Sequence, residues 1–144
     1  MAIQICVPRE VREGEQRVAL VPDIVNRLAK AGLTINIQAS AGELVGYTDK
    51  DYENANIIPD YAKLLGSADI TLMVNPPTEE QVSQIKEGSI LIGYLDPHTN
   101  MERFNQLNTR KISAFSVEMI PRISRAQAMD ALSSQASIAG YKAV

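Results

Sequence analysis

Tryptophan is absent from this sequence, histidine and cysteine occur once each, and phenylalanine only twice. A single histidine, His98, stands beside Pro97 in a predicted turn and reads as a surface residue. It supplies neither a Cys/His metal cluster nor the base of a catalytic triad. Lone Cys6 has no partner for an internal disulfide; placed in an apolar opening run, it reads as a buried structural thiol in a reducing compartment. No apolar run approaches the ~20 residues that span a bilayer, so direct membrane insertion is not expected. Arg9 and Glu10 interrupt the first apolar run, which argues against a signal peptide. The formal net charge of −3 and the lack of any basic cluster leave no electrostatic footprint for nucleic acid. Glycine-rich phosphate cradles are missing too: no G-x-G-x-x-G follows a predicted strand, and there is no G-x-x-x-x-G-K-[ST]. The glycines of AGELVG (Ala41–Gly46) follow a different pattern and read as a turn.

What remains is ordinary globular material: 144 residues, 45% apolar and 22% charged, enough for one domain with one hydrophobic core. Ile3–Val7 is a short apolar run closed by Pro8, a buried first strand. The loop Arg9–Val18 carries six charged residues, Arg9, Glu10, Arg12, Glu13, Glu15 and Arg17. Pro22 opens a helix that Gly32 closes, with Ile24, Val25, Leu28 and Ala29 on one face. Thr34–Gln38 alternates and is β-rich. Thr48 is expected to cap a short helix through Ala55, and Asp60–Leu65 forms another. Asp69–Val74 is a strand stopped by Asn75-Pro76-Pro77. Thr78 then caps a helix with acids in its first turn. Ser89–Leu95 is a strand and Asp96-Pro97-His98 a turn. Asn100–Asn108 is a helix with Met101, Phe104 and Leu107 inward, and Ile112–Val117 is the last strand. Strands alternating with helices of about ten residues imply right-handed βαβ units. The predicted class is α/β: a doubly wound, mainly parallel sheet in three layers, flavodoxin-like or Rossmann-like, with a trailing C-terminal helix. Glu10, Asp96 and Glu118 fall near predicted strand ends, where ligands of such sheets gather, although a strand-end cap is the plainer role for each.

The last 24 residues, Pro121–Val144, read PRISRAQAMDALSSQASIAGYKAV. Ser124 with Gln127 has the S-x-x-Q form of a capping box, predicting a helix start there. On a 3.6-residue period Met129, Leu132, Ala136, Ala139 and Ala143 form one apolar stripe, while Gln127, Asp130, Ser133, Ser134 and Ser137 lie on another arc. The pattern continues past Gly140 with no stop signal.

This run, together with PREVREGEQRVALVP, AGELVGYTDKDYENA, ADITLMVNPP and GSILIGYLDP, resembles domain I of the alpha subunit of proton-translocating NAD(P) transhydrogenases. That domain shares a superfamily with alanine dehydrogenase, and the resemblance covers all 144 residues. It implies that residues 1–144 are the N-terminal-type domain, with a dinucleotide-binding domain expected to follow. It also implies a function: direct hydride transfer between NAD(H) and NADP(H), coupled to proton translocation. Arg122, Gln127, Asp130 and Ser133 match the family's nicotinamide loop. By resemblance Arg122, Asp130 and Ser133 orient the NAD(H) nicotinamide, and Gln127 reaches toward NADP(H) held by a membrane subunit. The partners implied are the following NAD-binding domain, the NADP(H)-binding membrane subunit and a second copy of the chain, in a cytoplasmic location peripheral to a membrane complex. From the residues alone, Gln127, Asp130 and Ser133 read equally well as capping and solvated helix positions. An alanine dehydrogenase relative is one alternative. That branch binds a keto acid with an arginine, a lysine and a histidine at positions matched here by Arg17, Asn75 and Asp96, so two of the three are lost. A stand-alone interaction module is the other alternative.

Overall fold

The computed structural model describes residues 2–143. Six strands form one sheet: β1 (Gln4–Val7), β2 (Thr34–Gln38), β3 (Asn56–Ile58), β4 (Ile70–Leu72), β5 (Ile90–Gly93) and β6 (Ser113–Ser116). Their order is β3-β2-β1-β4-β5-β6, and every neighbouring pair is parallel. The connecting helices are α1 (Pro22–Lys30), α2 (Tyr61–Ser67), α3 (Glu79–Gln84) and α4 (Met101–Thr109), with α5 (Ala131–Ala143) trailing. The sheet is therefore the expected doubly wound one, wholly parallel.

Alternation along β1 sorts the core into two layers. Ile5 and Val7 pack with Val25 of α1 and with Ile35 and Ile37 of β2. Cys6 points to the opposite face, against Leu64 and Ala68. That face continues through Leu91 of β5, packed with Leu65, Val82, Ile85 and Leu107. Right-handed crossovers run one way from β1 and the other way from β4, so α1 covers one face and α2, α3 and α4 the other. The two senses diverge between β1 and β4, leaving a crevice at their carboxyl ends.

Three local expectations are corrected. Residues Asp49–Asp51 form a 3-10 turn rather than a helix through Ala55, capped by Thr48 and Asp51 reciprocally. The chain then adds β3, an edge strand too short for periodicity to reveal. Asn56 Nδ2 ties it to buried Asn36 Oδ1 at 2.9 Å, so a polar ladder replaces apolar packing at this edge. Met101, expected inward on α4, is 64% exposed, while Leu107 is buried as foreseen.

The predicted helix start at Ser124 is also replaced. Ser124–Met129 is a 3-10 turn with Ile123 in the cap position and no side-chain capping bond. The α-helix begins at Ala131, where Asp130 accepts hydrogen bonds from Ser133 N at 3.0 Å and Ser133 Oγ at 2.5 Å. A carboxylate is the stronger partner for the first-turn N–H groups, so it, rather than the Ser124 hydroxyl, sets the start.

Candidate functional site

The charged loop after β1 folds onto the carboxyl end of β4. Glu10 accepts from Val74 N at 2.6 Å, Asn75 N at 3.1 Å and Asn75 Nδ2 at 3.0 Å. Asn75, 7% exposed, also donates to Glu15 at 2.8 Å and accepts from Arg12 Nη1 at 3.2 Å. Its amide is thus saturated on both sides by the chain itself. Arg17 is held by Glu15 through Nε at 2.8 Å and Nη2 at 2.7 Å. The Arg17 hydrogen bonds, reinforced by Asn75, hold the Glu15 carboxyl down at about 2, and Glu15 in turn raises Arg17. Asp96, at a positive φ of 47°, donates its backbone N–H to Glu118 Oε1 at 2.5 Å. Glu10 and Glu118 are thus strand-end clamps, the plainer of their two roles. His98 is exposed.

The three dehydrogenase-type positions therefore fall around one end of the sheet with altered chemistry. Where a lysine ammonium would stand, an amide sits between two carboxylates. A keto acid approaching Asn75 meets Glu10 and Glu15, whose charges oppose its own.

The C-terminal run builds a second place. Buried Ala126 anchors the 3-10 turn, and the chain then bends through Asp130 into α5. The turn and the first turn of α5 enclose a cleft of about 260 Å³ lined by Arg122, Ile123, Ser124, Gln127, Asp130 and Ser133. All four site residues expected from the sequence are brought together in it. Ile123 and Ser124 were not foreseen: Ser124 was assigned to capping, and Ile123 carried no polar signal.

The polar groups divide by direction. The Ser133 hydroxyl gives its proton to Asp130, so toward the cleft it presents lone pairs. Asp130 is held below the usual carboxylate range, first by the Ser133 hydroxyl and amide and only then by the Arg122 charge. It remains an acceptor. Among the described residues the side chains of Arg122 and Gln127 make no hydrogen bond, so their donors, and the Gln127 carbonyl, are free. A flat amide-bearing ring, needing both donors and acceptors, fits that set. Among the described residues no helix is long and apolar enough to cross a membrane, and no group of three His, Cys, Asp or Glu side chains could hold a metal ion.

Residues 6–139 match the family described as the N-terminal domain of alanine dehydrogenase/PNT. A NAD(P) transhydrogenase subunit alpha from Haemophilus influenzae is 39% identical over 140 residues, covering 97% of this chain but 27% of that protein. The crystal structure of a transhydrogenase from Sinorhizobium meliloti superposes with a TM-score of 0.91 at 33% identity, over 96% of this chain and 42% of the other. An L-alanine dehydrogenase structure follows at 0.79 and 28% identity, over 82% of this chain and 33% of the other. The chain thus spans well under half the length of these relatives.

Proposed function

This chain belongs to the alanine dehydrogenase/PNT N-terminal domain family, and from that premise we propose that it is the NAD(H)-side portion of a transhydrogenase that moves hydride between NAD(H) and NADP(H), coupled to proton translocation. The observation that carries this reading is the convergence of Arg122, Gln127, Asp130 and Ser133 on one cleft. Its counterpart is the saturated amide of Asn75 where an amino-acid dehydrogenase needs a lysine.

When bound, the dinucleotide supplies the hydride-carrying nicotinamide. Arg122 offers N–H donors to a carboxamide oxygen, while Asp130 and the Ser133 lone pairs accept from a carboxamide N–H. Gln127, with no internal partner among the described residues, is available to contact the second nicotinamide, presented by another subunit. Direct transfer between two rings needs positioning and exclusion of water rather than a general acid, which fits a cleft without histidine or lysine. A following domain supplies the pyrophosphate cradle that this sequence lacks. The NADP(H)-binding partner is a membrane subunit, and the complex is peripheral to the membrane on the cytoplasmic side, with two copies of this chain.

Gln127→Asn, which shortens the reach by one methylene, tests the assignment in a complex rebuilt with the nucleotide domain and the NADP(H)-binding subunit. Stopped-flow hydride transfer is expected to slow at least tenfold, equivalent to ~1.4 kcal/mol of lost positioning. The melting temperature should stay put, because Gln127 makes no cap. Asp130→Asn should slow transfer and weaken NADH binding, while preserving a good N-cap. A normal transfer rate in both variants would remove the cleft from the reaction.

A further inference from the structure

The polar side chains of the Arg122 cleft account for one edge of a nicotinamide, its carboxamide. The ring itself presents flat faces that neither donate nor accept hydrogen bonds, and polar groups leave those faces wet. One lining residue has the complementary surface. Ile123 is the sole aliphatic side chain on a wall that is otherwise polar.

Ile123 is 55% exposed. A scattered aliphatic side chain on a surface is ordinary, but the backbone fixes this one in place. Its N–H donates to the Pro121 carbonyl at 2.9 Å, and its own carbonyl accepts from Ala126 N, also at 2.9 Å. Ala126 is buried, so the second bond ties Ile123 to the body of the domain. The residue is extended, with φ −122° and ψ 156°, in the cap position of the turn Ser124–Met129. A β-branched side chain has few χ1 choices. Frame and rotamer together therefore hold an aliphatic surface in the same cleft as the Asp130 and Ser133 acceptors. Ile123 joins none of the hydrophobic clusters of the core, so packing within the domain does not account for it.

We propose that Ile123 holds the nicotinamide ring, its aliphatic surface packed on one flat face while the polar groups hold the carboxamide edge. The inference rests on the transhydrogenase reading of this cleft and adds a contact that the polar set cannot make. Hydrogen bonds to a carboxamide alone leave the ring free to swing about the bond joining the two. A wall against the ring face removes that freedom, and transfer between two rings depends on such positioning. Burial of the face is favourable in itself, because ring face and side chain are both apolar.

Nicotinamide mononucleotide, oxidised and reduced, is the probe, titrated into the 144-residue chain isotope-labelled at its isoleucine δ1 methyl groups. Saturable shifts of the Ile123 methyl are expected at roughly millimolar probe, with nuclear Overhauser contacts between that methyl and the ring protons. Ile123→Ala should weaken binding about fivefold through lost apolar contact, and Ile123→Leu should restore it. Both variants should melt with the parent, because the side chain is exposed; a purely structural role would move the melting temperature instead. The Overhauser contacts are read on the unsubstituted chain, so they decide the matter even if a variant folds poorly. Shifts at the Arg122 and Gln127 side-chain N–H groups without contact at Ile123, or an unchanged affinity in Ile123→Ala, would overturn this inference and leave the reading of the cleft standing. No saturable shift at any of these residues would overturn both.

Discussion

Glu15 gathers four N–H donors, three from Arg17 and one from Asn75. Its carboxyl is lowered from 4.5 to about 2, chiefly by the Arg17 hydrogen bonds. A folded-state value below the unfolded one contributes stability that is complete above about pH 4.5 and lost as pH falls toward 2. The Glu15 side chain is only 9% exposed but Arg17 is 48% exposed, so solvent screening reduces the contribution to on the order of 1–2 kcal/mol. Glu15→Gln is therefore expected to lower stability at neutral pH by that amount and to flatten the loss between pH 4.5 and 2. Urea midpoints across that range check it; an unchanged acid slope would mean that the carboxyl is not the group responsible. The residues of this network were visible in the sequence as a charged loop. Their pairing was not, because Asn75 lies 60 positions from Glu15 and only the β1–β4 adjacency brings them together.

At the scale of elements, glycine at 93 is dictated by sheet packing. A Cβ there would sit 2.5 Å from the Met73 carbonyl oxygen, a backbone atom just beyond β4 that cannot swing aside. Gly93→Ala is expected to cost about 1–3 kcal/mol as an overpacked contact, and a melting temperature equal to that of the parent would contradict so close an approach. Strong local signals placed most elements well. Pro22 opens α1, and Thr34–Gln38 coincides with β2. Thr78 caps α3 through a reciprocal pair with Gln81. The failures share a cause. S-x-x-Q at Ser124 is a permitted box, yet Asp130 is a better acceptor six residues later and the turn between them is held by burial of Ala126. Met101 sits at the start of α4, where the first turn projects beyond the core, so correct periodicity still gave the wrong side.

On the scale of the whole molecule, α5 stands apart from the core. The predicted stripe is outward, with Met129 just before the helix 59% exposed and Leu132 38%; Ile138 and Tyr141, outside that stripe, are 63% and 89% exposed, and no residue of α5 is buried. An apolar surface of that kind favours association. Light scattering at high concentration is expected to report a mass above that of one chain, falling back to a monomer in the double variant Met129→Glu, Ile138→Glu. A parent chain that stays monomeric throughout would contradict the expected pairing of two copies.

The sequence by itself determined the class of fold, because alternating periods of two and 3.6 leave a parallel doubly wound sheet as the economical way to bury every apolar face. It also determined the family, through long motifs whose residue types and spacing are specific. Tertiary structure alone decided which side chains meet. It joined Arg122 to Asp130 and Ser133 in one cleft, turned the Ser133 proton inward onto Asp130, and spent the Asn75 amide on Glu10, Glu15 and Arg12. Hydrogen-bond partners are fixed by position in space, and a period along the chain carries no record of them.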